Sequence, residues 1–337
     1  MRTGSFVAAA LLLSSVAQAQ NGTPGVELDV GEPVQVQNLA VMPLYTKRAP
    51  PYDDYVVLEE AQANRSVRIA ETRNGEVDHL LVKNKDQSKR PLYLLGGEVV
   101  LGGRQDRMVV NDTVVDAGAA KSLEVRCVEP GRWSGADLTF RSSEAVAHPD
   151  LRKAALFKDQ EKVWDEVARK SKASNVESST GTYRRVLQDE GVRRRIKGYL
   201  DELQAKIPRS EKLTGLAVAI NGSLELVDLF DSPLLYRKLE RKLLASYVLA
   251  ALERQPESAD KAKVYQAKAR ALGKSHVDEL MQKSDSESVA MDSESQEASR
   301  SASSRVQAKA GPTGKVYLLK GKAVHKTIFG QGPDEQK

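Results

Sequence analysis

At 337 residues the chain is long enough for one large domain or two smaller ones with a real hydrophobic core. Lys and Arg number 51 against 46 acids, a formal +5 with both signs interspersed, and no basic stripe with interleaved aromatics marks a nucleic-acid binder. One cysteine, Cys127, excludes an intrachain disulfide, and the four histidines show none of the paired spacings of a zinc site, so no metal and no cofactor is expected.

The first residues read as a secretory signal. Arg2 is a positive start, Phe6–Val16 an apolar run and Ala17-Gln18-Ala19 a small-x-small cleavage site, so residues 1–19 are expected to be removed on export to the periplasm or beyond. Loss of Arg2 takes the charge to +5 − 1 = +4. No cysteine near the cut offers a lipid anchor, and no later run is long and apolar enough for a membrane span.

A flexible leader, 20–31, precedes short strands. Val34–Val41 alternates in part, and Pro43 marks its continuation as an edge or a strand end. Tyr55–Leu58, Val67–Glu71 and His79–Asn84 follow, with Asn74-Gly75 as a tight turn. Leu92–Leu101, Met108–Val115 and Ser122–Val128 complete six or seven strands with turn signals between them, the pattern of a β-sandwich or barrel-like layer. Cys127, between Val125 and Val128, reads as a buried, inert thiol.

Beyond Trp133, Ala136–Arg141 offers one more strand, and from Pro149 the period turns helical. An excursion over about 149–207 carries Val192, Ile196, Leu200 and Leu203 at helical steps and stops at Pro208. Its arginine clusters, Arg184-Arg185 and Arg193-Arg194-Arg195, fall on the polar face. Leu216–Ile220, Asn221-Gly222 and Ser223–Phe230 then predict a hairpin on a type I′ turn. Ser232 and Pro233 predict the cap and first position of a helix whose Leu235, Leu239, Leu243 and Tyr247 must be buried. Residues 283–312, rich in Ser and without aromatics, read as a disordered linker. Lys315–Leu319 and Ala323–Phe329 are strands too few to stand alone, so they are expected to rejoin the main sheet, leaving 331–337 as a tail. The fold class is α+β: a sandwich-like core of short, mostly antiparallel strands at 32–282, with a helical excursion, a packed C-terminal helix and closing strands at 313–330.

The doublets Gly96-Gly97 and Gly102-Gly103 lack the spacing of a phosphate loop and fit strand ends and bulges. The set Glu98, Arg104, Gln105, Asp106, Arg107, Glu129 and Arg132 lies on strand ends and turns. Its arginines could take an oxyanion in two parallel hydrogen bonds, or pair with its own acids and hold the turns. Glu98 and Glu129 could serve as acid and base, although nothing in the spacing sets their separation. No GxSxG elbow occurs.

Three stretches, LGGEVVLGGRQDRMVVNDTVV…LEVRCVEPGRW, LAVAINGSLELVDLFDSPLLYRKLERKLLASYVLAAL and VYLLKGKAVHKTIF, together resemble the ARPP-type domain. That domain is named for its association with ADP-ribosylglycohydrolases and rhodanese-like phosphatases. The resemblance implies one domain with a β core, a helical excursion and a C-terminal strand that returns; it supplies no reaction. By motif position it directs attention to Gln105, Arg107, Arg132 and Trp133 as ligand contacts, and to Glu98, Glu129 and His325 as candidates for chemistry. The expectation is a non-enzymatic binding or interaction module whose partner is an anionic small molecule or another envelope protein. The alternatives are a hydrolase of a nucleotide-like or glycosidic substrate acting through Glu98 and Glu129, and a structural envelope protein.

Overall fold

The computed structural model describes residues 27–72, 76–135, 137–291 and 311–330. The expected signal and tail, and the predicted Asn74-Gly75 turn, lie outside these.

The chain opens with β1 (Leu28–Val30), β2 (Val34–Val36), β3 (Leu39–Thr46), β4 (Val56–Val57) and a short helix, α1 (Leu58–Ala63). Then come β5 (Val67–Glu71), β6 (His79–Asn84), β7 (Leu92–Leu94), β8 (Glu98–Gly102), β9 (Arg107–Val109), β10 (Thr113–Val115), β11 (Ala120–Cys127) and β12 (Thr139–Val146). The helical excursion is α2 (Pro149–Phe157), α3 (Gln160–Ala173), α4 (Arg184–Gln188) and α5 (Glu190–Lys206). The hairpin β13 (Leu213–Ile220) and β14 (Ser223–Phe230) leads into α6 (Pro233–Glu253). The chain finishes with α7 (Ala259–Arg270), α8 (Lys274–Lys283), β15 (Asp285–Ala290), β16 (Thr313–Leu319) and β17 (Lys322–Phe329).

The class is α+β with mostly antiparallel strands, as expected. Its finer geometry is a closed barrel beside an open sheet, and the barrel is one of the two arrangements, sandwich or barrel-like layer, that the strand pattern left open. β11, β6, β5, β12, β8 and β9 close in that order, and alternation drives the closure: Leu80 and Val82 of β6 and Leu123 and Val125 of β11 point inward, while Leu81 is 47% exposed. Gly102 lets β8 approach β12, since a Cβ there would lie 2.2 Å from the Thr139 carbonyl oxygen. β10, β7 and β4 form a separate three-stranded sheet.

The large sheet has eight strands, in the order β1-β3-β13-β14-β17-β16-β15, with β2 also on β3. The Asn-Gly hairpin forms as predicted, with φ of 54° and 78° at Asn221 and Gly222. β17 pairs with β14, which returns the C-terminus to the sheet. Two expectations change here. Leu28–Val30, assigned to the leader, is a strand on β3, and Asp285–Ala290, assigned to the linker, is a strand parallel to β16. Its sequence is polar because it is an edge; β16 supplies the hydrogen bonds that no local pattern advertises. The rest of the linker, 292–310, lies outside the described residues.

α6 starts as predicted, the Ser232 hydroxyl accepting from the Leu235 N–H at 3.3 Å and Pro233 at the first turn. It packs against β13 on one side and β12 on another, so Leu235, Leu239, Leu243 and Tyr247 are all fully buried. Each such leucine is worth about 2 kcal/mol of apolar transfer. No helix among the described residues is long and apolar enough to cross a membrane.

Candidate functional site

The turns at 104–107 and 129–133 meet. Their centre is Asp106, fully buried, whose carboxylate accepts from Arg184 Nε at 2.8 Å, Thr182 Oγ1 at 3.0 Å, the Gly102 N–H at 3.1 Å and Arg132 Nη2 at 3.3 Å. Glu129 accepts from Arg132 Nε at 2.8 Å, Thr180 Oγ1 at 2.8 Å and the Asp106 N–H at 3.1 Å. Burial alone would raise the Glu129 pKa, but the hydrogen bonds from Arg132 and Thr180 hold it below the usual range. Arg132 spends further donors on the carbonyls of Gly103 and Ser134, and Gln105 Nε2 donates to the Glu129 carbonyl at 2.8 Å. Arg107 is buried, its Nη1 held by the Gln105 carbonyl at 2.9 Å, and burial lowers its pKa. Gln105, Arg107, Glu129 and Arg132 therefore converge, but on one another; they tie α4 and its preceding loop to the barrel rim. Trp133 stands apart, 57% exposed.

Glu98 belongs to a different cluster. It is buried against Lys242 of α6, whose ammonium also bonds both oxygens of Glu59, at 2.9 and 3.1 Å. One lysine serves two carboxylates. Burial, opposed by Lys242 and aided by Glu59, pushes Glu98 up to about 7, while Lys242 keeps Glu59 below the usual range against its own burial. Glu98 and Glu129 thus answer to different partners.

His325 is in a third cluster, completely buried between two acids. Nδ1 lies 2.6 Å from Asp112 and Nε2 3.2 Å from Asp228, with the ring stacked on Phe230 at 4.1 Å between centroids. Asp228 is also gripped by both terminal nitrogens of Arg152, at 2.9 and 3.0 Å, and by the Tyr247 hydroxyl at 2.6 Å. The Tyr93 hydroxyl donates to Asp112. Burial would lower the imidazole pKa, but the two carboxylates override it and raise it to about 9. Two acids face two cations, so the cluster is internally neutral.

Sequence reasoning missed the polar groups where α2, α3 and the end of α6 converge. Lys170, buried, sits 2.8 Å from both Asp150 and Glu253; Arg254 reaches Asp150 at 3.0 Å and also pairs with Glu225. His148, Asp150 and Glu253 have ligand atoms close enough to hold a metal. They do not fit one: the Lys170 ammonium already occupies the point where the two carboxylates converge, and His148 Nδ1 accepts the Asp150 N–H. The signal is scattered over residues 148–150, 170 and 253–254, so no local spacing could have revealed it.

Above this cluster opens a groove of ≈ 810 Å³ between α2, α3 and the β13–β14 hairpin. Its apolar surface includes Val218, Ile220, Leu226, Tyr247 and Phe329, and its rim carries Lys153, Lys158, Arg169 and Lys172. Tyr247 and Phe329 connect the groove to the third cluster, through Asp228 and through Arg152, whose guanidinium lies 5.7 Å from the Phe329 ring centre. None of Glu98, Gln105, Arg107, Glu129, Arg132, Trp133 and His325 lines this groove or the two smaller cavities described with it.

A family model, the ARG and Rhodanese-Phosphatase-superfamily-associated Protein domain, ARPP-1, matches residues 27–329. The chain belongs to this family. No curated protein matches it, and no solved structure does. The ARPP-1 match runs from β1 to the end of β17, so barrel, helical excursion, groove and closing strands are all parts of the ARPP-1 domain. Within that domain the carboxylates of the expected site are engaged by neighbouring donors, and the concave, partly apolar surface lies at the helical excursion.

Proposed function

We propose that this ARPP-1 domain is a non-enzymatic binding module, and that its ligand is an anionic organic molecule held in the groove between α2, α3 and the hairpin. The observation that carries the reading is the charge balance of the groove wall. Its four acids are ion-paired within the protein, Glu225 with Arg254, Glu166 with Arg169, and Asp150 and Glu253 with Lys170; these three cations are joined at the groove by Lys153, Lys158 and Lys172, which leaves positive charge in excess. Lys158 and Lys172 form no ion pair among the described residues and stand exposed at the rim. Uncompensated cations over an apolar floor favour an anion with an apolar body, and the volume falls in the range of about 300–1,000 Å³ usual for small-molecule sites. The hydrolase alternative has less support, since Glu98 and Glu129 lie in separate clusters, away from the groove.

A thermal-shift panel containing ADP-ribose, citrate and inorganic phosphate tests this. The expected result is a concentration-dependent rise in melting temperature with an organic anion, lost in the Lys158→Glu/Lys172→Glu double variant. A rise of equal size in that variant would place the ligand elsewhere.

A further inference from the structure

A second concave site lies about 20 Å along α6 from the groove, by the helical rise from Glu240 to Glu253. Its volume is ≈ 330 Å³, and it shares no lining residue with the groove. Pro208 stops α5, and a turn follows at Ser210. The Ser210 hydroxyl accepts from the Lys212 N–H at 3.1 Å and its carbonyl from the Leu213 N–H at 3.2 Å. That turn brings Arg209 and Glu211 to the mouth of the cavity. The other side is α6, whose Tyr236, Arg237 and Glu240 share a face at steps of three and four. Ile207, Leu213 and Tyr236 are buried wall residues.

Two guanidinium groups face two carboxylates there, so the charges balance, but they balance without pairing. Both arginines pull electrostatically on Glu240, yet none of Arg209, Glu211, Arg237 and Glu240 forms an ion pair or hydrogen bond among the described residues. Arg209, Glu211 and Arg237 are exposed; Glu240 is half-buried, and burial raises its pKa against the pull of the arginines. The Tyr236 hydroxyl, although buried, also has no hydrogen-bond partner. Glu240 and Tyr236 therefore keep hydrogen-bonding capacity that the fold does not use.

A ligand with a single charge of either sign would meet one matched group and one of its own sign. A neutral apolar ligand would strip water from Glu240 and return nothing. A zwitterion offers each group its counter-charge, and an α-amino acid holds both charges on one carbon, which suits a carboxylate within reach of two guanidinium groups. We infer that this cavity binds an apolar α-amino acid, its side chain against Ile207, Leu213 and Tyr236, its carboxylate between Arg209 and Arg237, and its ammonium on Glu240. The ligand carboxylate meets planar donors suited to paired N–H···O bonds, and the apolar side chain covers wall that water would otherwise wet. The inference is independent of the ligand proposed for the groove.

Calorimetric titration of the full chain tests it with L-leucine, with isocaproate, which lacks only the ammonium, and with isoamylamine, which lacks only the carboxylate. Leucine is expected to bind saturably at one site and each analogue about tenfold or more weakly, the range of a lost charge-assisted contact. Glu240→Gln should weaken leucine to the level of isocaproate, and Arg209→Gln/Arg237→Gln to the level of isoamylamine. Lys158→Glu/Lys172→Glu should leave leucine binding as it was. No binding of leucine by the parent, an analogue that binds as well as leucine, an unaffected Glu240→Gln or Arg209→Gln/Arg237→Gln variant, or loss of binding in the groove variant would each overturn the assignment.

Discussion

Lys242 holds one positive charge between Glu59 and Glu98, and that imbalance governs both acids. Replacing it by Met leaves two carboxylates, one of them fully buried, without their cation. The expected loss is about 3–5 kcal/mol of unfolding free energy, as for other broken buried ion pairs. Glu98→Gln keeps an acceptor for the Leu95 N–H and leaves Lys242 with Glu59, so its cost should stay within about 1 kcal/mol. Urea unfolding of both variants at pH 7 decides the matter; a Lys242→Met protein as stable as the parent would show that the cluster is not a brace. The same logic explains the expected site. Gln105, Arg107, Glu129 and Arg132 were recognisable in the sequence as a set, because charged residues in β-prone turns require partners. Whether those partners were a ligand or one another was a matter of three-dimensional neighbours, and Asp106, Thr180 and Arg184 took the role.

Among the elements, the β13–β14 hairpin and α6 were readable because their determinants are local. Asn221 and Gly222 both require positive φ, and Ser232-Pro233 fixes a helix start within four residues of the hairpin's end. Gly222 has a second constraint, since a Cβ there would lie 2.5 Å from Lys268 Cβ on α7. Gly222→Ala should therefore cost about 1–2 kcal/mol, through backbone strain plus displacement of α7. Thermal unfolding measures this; a neutral result would mean that α7 yields freely. β15 was unreadable for the opposite reason. Its sequence, DSESVA, is mostly polar with half of its residues exposed, and it is a strand through the neighbouring β16 and through Lys121, which donates to the Met291 carbonyl just beyond it.

For the molecule as a whole, His325 joins layers that are far apart in sequence. Asp112 follows β9 beside the three-stranded sheet, Asp228 and His325 are on the large sheet, Arg152 is on α2 and Tyr247 on α6. The histidine's pKa in the folded chain, about 9, stands above its unfolded value near 6.5. Its charged form therefore stabilises the fold fully below about pH 6.5, and that contribution is lost as pH rises towards 9. The loss amounts to about 3 kcal/mol if no other group titrates with it. Unfolding free energies from pH 6 to 9.5 should fall in the parent and fall less in His325→Asn; identical slopes would remove His325 as the cause.

What the sequence determined by itself was local. Alternation marked the strands, Asn-Gly the hairpin and Ser-Pro the helix start. Long motifs led to the family and, with it, to a C-terminus that returns to the core. Tertiary structure decided how those strands close and which charges meet. The barrel depends on pairings among β5, β6, β8, β9, β11 and β12 that no short window contains. Asp112 and His325 are 213 residues apart, and the groove draws on α2, α3, β13, β14, α6 and β17 together. Backbone conformation is chosen by near neighbours, whereas the pairing of buried charges is set by distance in space, which chain order does not encode in any local pattern.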